Sequence, residues 1–304
     1  MIPLHYSDEV AAARQSGTPL VALESTIITH GMPIPINLET ARATEDAVRK
    51  TGAVPATIAV LNGRLHIGLT PAQLDVLSRA KGVAKLSRAD FAHCIATGGT
   101  GATTVAATMI AAKLAGIQVF ATGGIGGVHR GAEDSFDISA DLQELAQTRV
   151  TVVCAGAKAI LDLPKTLEVL ETFGVPVIAY GQDALPAFWS RNSGLAAPLR
   201  LDTPHAIARA HRVRAAMGLS GGQLVTNPIP QKHEIAFDEI QVAVETAIAD
   251  ATAQDVTGKA ITPFLLSRIY DLTAGRSLEA NIALVLNNAQ LAGQIAAELN
   301  KLDG

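Results

Sequence analysis

The stretch FATGGIGGVHRGAEDSFDISAD (120–141) carries an apolar lead-in, four glycines (Gly123, Gly124, Gly126, Gly127), a His129-Arg130 pair and then four acids, ending on Asp137 and Asp141. Glycines straight after a buried strand let the backbone take φ > 0 and bring its N–H groups close to a ligand. A neighbouring cation favours an anion there, and two carboxylates behind it favour a hard metal ion. Phosphate, cation and metal fit this one stretch. The competing reading is a tight strand-to-helix turn with a solvated acidic helix start.

Working outward, short apolar runs alternate with helical patterns. Residues 19–23 read as a strand ending at Glu24-Ser25-Thr26, and Asn37 as the N-cap of a helix closed by Gly52. ATIAVL (56–61), Asn62-Gly63 and RLHIG read as a β-hairpin on a type I′ turn. Thr70-Pro71-Ala72-Gln73 spells a capping box with Pro at the first helical position, and Ser87 to Asp90 a second such start. GGTGATT (98–104) opens a helix closed by Gly116, and TVVCAGAK (151–158) reads as a strand followed by a turn. A helix over 163–172, a strand over 176–180, a helix from Thr203-Pro204, the strand within GGQLVTNPIP (221–230), and helices over 238–253, from Thr262 and from Ser277 complete the chain. No linker or repeat divides it. The expectation is α/β: a single three-layer α/β/α domain, 1–304, around a central mixed, mostly parallel sheet.

Composition agrees. The 304 residues are 48% hydrophobic, 4% aromatic and 17% charged, which suits small-residue packing of helices on a buried sheet. A net charge of −4 without a basic stripe points away from nucleic acid. Two cysteines, Cys94 and Cys154, without a C-x-x-C, suit a reduced cytoplasmic protein. MIPLHYSDEV lacks the pattern of a signal peptide, and IALVLNNAQLAGQIAA is interrupted by Asn287, Asn288 and Gln290, so no membrane span is expected.

Standard motifs fail one by one. There is no G-x-x-x-x-G-K-[ST], the run 124–129 ends in His where a dinucleotide turn needs Gly or Ala, HEIAF (233–237) lacks the second histidine of a zinc protease, and no G-x-S-x-G occurs. What remains are polar residues at strand ends, where open α/β sheets bind ligands. These are Glu24, Lys85, Asp137 with Asp141, and Lys158. A lysine in a dry pocket or near another cation becomes an amine nucleophile able to form an imine. Taken singly, each has a plainer reading as a cap, a surface cation or an acidic helix face. His30, His129 and Cys154 stay ambiguous, with Cys154 read as core.

Together, these residues carry a resemblance. ALESTIITHGMPIP (22–35), GGVHRGAEDSFDISADLQEL (126–145), VVCAGAKAILDL (152–163) and SLEANIALVLNNAQLA (277–292) closely resemble the pseudouridine-5′-phosphate glycosidases, across nearly the whole chain. Ala159 stands where serine is expected in many relatives, and 189–218 is the least family-like segment, expected to vary the rim of the site. The resemblance implies Lys158 as nucleophile and Glu24 as proton donor. It implies Lys85, Val105, Ser139, Ala140, Asp141 and Asn281 as substrate contacts, and Asp137 as ligand of Mn²⁺. His129 and Arg130 offer one phosphate cradle; Lys85 with the helix start after Gly101 offers another. The implied reaction is reversible cleavage of pseudouridine 5′-phosphate to uracil and ribose 5-phosphate by a homotrimer. A sugar-phosphate kinase and a non-catalytic phosphosugar-binding protein are the alternatives.

Overall fold

The computed structural model describes residues 2–256 and 258–302; Met1, Asp303 and Gly304, the ends of the expected 1–304 unit, lie outside the described residues. Its sheet has eleven strands: β1 (Leu4–Tyr6), β2 (Leu20–Leu23), β3 (Val54–Leu61), β4 (Arg64–Ile67), β5 (Ala84–Leu86), β6 (Gly101–Thr103), β7 (Val119–Ala121), β8 (Thr151–Cys154), β9 (Val177–Tyr180), β10 (Leu199–Leu201) and β11 (Gln223–Thr226). The main path runs β1-β4-β3-β2-β7-β8-β11-β9-β10, with β6 joined to β3 and β5 to β6. Among the described strand pairs, only β3–β4 and β3–β6 are antiparallel. The sheet is therefore mixed and mostly parallel, as expected.

Period-two alternation makes the layers. On β2, Val21 and Leu23 enter one core while Ala22 enters the other; Val119 and Ala121 oppose Phe120 on β7, and Val153 opposes Val152 and Cys154 on β8. One face is covered by the helices Ile36–Arg49, Pro204–Ala216 and Arg276–Lys301, and the other by helices that include Val105–Ala115 and Ala140–Gln147. A strand buried on both faces needs apolar residues at every position, which is why these runs read as unbroken hydrophobic stretches.

Local chemistry sets the element ends. Asn62 and Gly63 take φ of 50° and 72°, joining β3 to β4 in the type I′ turn the sequence predicts. Thr70 and Gln73 form the reciprocal capping box. Two expected helix starts differ. Asn37 lies inside the helix Ile36–Arg49, where its buried amide donates to the carbonyls of Ile28 (2.8 Å) and Ser78 (2.9 Å), tying three segments together. Ser277 lies inside the helix Arg276–Lys301, which Gly275 caps; its carbonyl accepts the indole N–H of buried Trp189 at 3.0 Å. Cys94 and Cys154 are both free and buried, and Cys154 is core, its thiol pushed up to about 12 chiefly by burial. Among the described residues, no helix is long and apolar enough to cross a membrane.

Candidate active site

Glu24 follows β2, Thr122 follows β7 and Lys158 lies four residues past β8, so three neighbouring parallel strands deliver them to one edge of the sheet. Two adjoining cavities of about 60 and 260 Å³ meet there, sharing Glu24, Thr26, Lys85, Lys158 and Thr262 as walls. The smaller lobe adds His30, Gly124, Phe188, Leu266 and Asn281. The larger adds Thr104, Val105, His129, Asp137, Ser139 and Asp141. A separate cleft of about 520 Å³ at the amino ends of β2 and β7 is lined by Arg14 and Lys113 but by no carboxylate or histidine. Of these two, the carboxyl-end cavity combines an amine, acids and imidazoles, where open α/β sheets place ligands.

The glycine turn works differently from its sequence reading. None of Gly123, Gly124, Gly126 and Gly127 has positive φ; glycine is needed there because there is no room. A Cβ on Gly124 would lie 2.7 Å from the Phe188 ring, and one on Gly126 would collide with the Ser139 hydroxyl. The turn leads first into a short helix, Ala132–Ser135, and then folds back: His129 N–H donates to the Asp137 carbonyl at 3.0 Å, and Ser139 N–H to the Gly127 carbonyl at 3.0 Å. Asp137 consequently precedes the helix Ala140–Gln147, which Ser139 caps, and does not share a helical face with Asp141.

The carboxylates divide their duties. Asp141 is buried, and its oxygens accept backbone N–H groups from Gly126 (2.8 Å) and Ala106 (2.9 Å), bracing the turn against the start of the helix Val105–Ala115. Both oxygens of Glu24 accept hydroxyl hydrogens, one from Thr26 and the other from Thr122. Half-buried Asp137 takes no side-chain hydrogen bond on its carboxylate among those described, and it acts electrostatically on His129. Burial holds His129 below its usual value; Asp137 opposes this, and the positive charges of Lys158 and Lys85 reinforce it.

Among the described residues, no group of three or more His, Cys, Asp or Glu is placed to hold a metal ion. The donor set at Asp137 is thus one carboxylate with the Ser139 hydroxyl on the same wall. A single carboxylate and one hydroxyl would leave most of the shell of a hard divalent ion to water.

Other sequence candidates fall in different places. Lys85, Val105, Ser139 and Asn281 line the cavity lobes. Arg130 is exposed and donates to Gln241 at 2.8 Å, and Ala140 opens its helix without lining either lobe. In the segment 189–218, Trp189 is buried, and the helix Pro204–Ala216 packs on the C-terminal helix at the far side of the sheet. Sequence reasoning passed over Thr26, Thr104, Thr122, Phe188 and Thr262. Phe188 has a positive φ of 60° and stands edge-on to Trp189 with ring centroids 5.0 Å apart, a strained conformation of the kind that clusters at ligand sites. It also passed over Asn288, buried in the last helix, which donates to the Thr122 carbonyl at 2.9 Å and accepts from Asn227 at 3.1 Å. The one available signal was a polar pair, Asn287-Asn288, within an apolar helix.

Comparison with known proteins gives this geometry a family. The model of the indigoidine synthase A-like proteins matches residues 9–298. Pseudouridine-5′-phosphate glycosidases of Jannaschia sp. (strain CCS1) and Roseobacter denitrificans are 67% and 68% identical over 298 residues, covering 98% of this chain and 99% and 96% of theirs. A crystal structure of the prealnumycin C-glycosynthase AlnA with ribulose 5-phosphate superposes with a TM-score of 0.91 at 41% identity, covering 99% of this chain and 98% of that one. Matched over nearly its full length, this chain is an enzyme of the pseudouridine-5′-phosphate glycosidase family of indigoidine synthase A-like proteins.

Proposed function

We propose that this enzyme reversibly cleaves the C–C glycosidic bond of pseudouridine 5′-phosphate to uracil and ribose 5-phosphate through an imine on Lys158. The observation that carries the reading is that Glu24 and Lys158 line both lobes of one cavity, with the second cation Lys85 beside them. The names of the relatives supply the substrate.

The leaving atom in this reaction is carbon C5 of uracil, so protonating an exocyclic oxygen, the route of ordinary glycosidases, is unavailable. The Lys158 ammonium first hands a proton to Glu24, which frees the amine. Glu24, oriented by Thr26 and Thr122, delivers that proton to the ring oxygen as the C1′–O4′ bond opens. The amine then bonds to C1′. The nitrogen gives a proton to Glu24, its lone pair forms C1′=N as the C1′–C5 electrons pass to uracil, and Glu24 delivers that proton to uracil C5. Water adds to the imine with Glu24 as base, releasing ribose 5-phosphate.

For the phosphate, the cradle at Lys85 and the start of the helix Val105–Ala115 is favoured over the one at His129 and Arg130. The Thr104 hydroxyl oxygen on that wall is buried without a hydrogen-bond partner among the described residues, whereas Arg130 is turned to Gln241. Helix amides and a cation suit a dianion. Phe188 and Asn281 in the smaller lobe suit a flat base with amide edges. Mn²⁺ held by Asp137 would supply positive charge that orders water and phosphate. Two unpaired cysteines suit a reduced cytoplasmic setting, and a homotrimer is the assembly proposed, to be checked by light scattering.

Ultraviolet monitoring of pseudouridine 5′-phosphate with enzyme, with and without Mn²⁺, tests the proposal. Release of uracil supports it; no turnover in either condition leaves the non-catalytic binder standing. The kinase alternative gains no phosphate-loop lysine from the fold, and ATP consumption is its test.

A further inference from the structure

Once uracil departs, the site holds an aldose phosphate as an imine beside a carboxylate, which is the arrangement for a second reaction. Glu24 shares both lobes of the cavity with Lys158, and the hydroxyls of Thr26 and Thr122 hold its two carboxylate oxygens. A group able to protonate the ring oxygen next to C1 lies one bond's reach from C2, which is attached to the same carbon. An imine at C1 withdraws electrons and acidifies the C2 hydrogen.

Resting on the imine reading above, we infer that ribose 5-phosphate modifies this enzyme itself: Lys158 is converted to a stable ketoamine, with Glu24 as the base. The Lys158 amine adds to C1 of the open-chain aldehyde and water leaves, forming C1=N. Glu24 takes the C2 proton; the C2–H pair becomes C1=C2 and the C=N pair withdraws to nitrogen. Glu24 returns the proton to C1, and the O2 hydrogen passes to the nitrogen as the C2 ketone forms. No electrons enter or leave, and the sugar ends on a C1–N single bond that water does not hydrolyse as it does an imine. Hydrolysis and ketoamine formation are thus rivals for one intermediate and one carboxylate. Accumulated product silences the nucleophile, so an aldopentose phosphate-consuming reaction must drain it to keep the enzyme active.

The test incubates the full-length enzyme, supplied with Mn²⁺, with ribose 5-phosphate and no reductant. Denaturation and peptide mass mapping follow. A parallel sample receives borohydride. The expected result is an adduct of pentose phosphate less water on Lys158 that survives denaturation, forms faster than on the exposed Lys113 and Lys232, and tracks loss of cleavage activity. Glu24→Gln should slow its formation roughly 10²-fold or more while borohydride still traps an imine. Ribose 5-phosphate deuterated at C2 should deliver deuterium to C1 of the ketoamine. A borohydride-trapped imine without any reductant-free adduct overturns this inference and leaves the proposed function standing, as does an adduct that forms equally fast in Glu24→Gln. Absence of both species overturns the two together.

Discussion

The Asp141 carboxylate accepts the Gly126 amide hydrogen at 2.8 Å across fifteen positions of sequence, and its second oxygen takes Ala106 N–H at 2.9 Å. One buried carboxylate thereby joins the glycine turn to the helix start proposed for the phosphate. Asn in its place presents an NH₂ to one of the two amides, leaving a buried donor unpaired. Asp141→Asn should cost about 1–3 kcal/mol of stability and raise KM more than it lowers kcat. Urea unfolding and steady-state kinetics read the two effects; a variant as stable as the parent would show that the brace is dispensable.

Glu24 owes its orientation to the hydroxyls of Thr26 and Thr122. Glu24→Gln should lower kcat roughly 10²–10⁴-fold. Thr122→Val keeps the shape, removes one donor and should give a smaller loss in kcat with KM nearly unchanged. A Glu24→Gln enzyme turning over at the parental rate removes the residue from the mechanism.

Borohydride should trap a sugar adduct on Lys158 in the presence of substrate, read by mass spectrometry. Lys158→Ala should lose both adduct and turnover. Undiminished trapping in that variant would refute the assignment.

Asp137 is the carboxylate of the larger lobe left without side-chain hydrogen bonds among those described, whereas Asp141 is committed to backbone amides. Asp137→Ala should abolish the response of activity to added Mn²⁺. A metal titration that matches the parent's would put the ion elsewhere.

His30, on the smaller lobe, is held below its usual value of 6.5 chiefly by burial and next by the charge of Lys85, against a hydrogen bond to the Val83 backbone. The folded state therefore binds fewer protons than the unfolded chain. Its contribution to stability is intact above 6.5 and is lost as pH falls through the lower folded value. His30→Asn should flatten the fall in stability between about pH 7 and pH 5, seen as a smaller shift in the denaturation midpoint. An unchanged pH slope would assign that loss to other groups.

What the chain declares locally was legible without coordinates. Asn62-Gly63 demands positive φ at two adjacent positions, Thr70-x-x-Gln73 caps its own helix, and runs such as TVVC (151–154) tolerate burial on both faces; each signal is carried by residues a few positions apart. Lys158, Glu24, Lys85 and Asp137 could be named for the same reason, as polar residues ending apolar runs. Which partners they meet was not legible. Thr122 reaches Glu24 across 98 positions, Asn288 reaches Thr122 across 166, and Phe188 fills the space that Gly124 leaves. Those contacts exist only because β2, β7 and β8 lie side by side while their order in the chain places whole helices between them. Strand order also decided that Asp141 holds backbone and that Arg130 turns to Gln241. Side-chain identity sets what a residue can donate or accept; only packing sets which neighbour receives it.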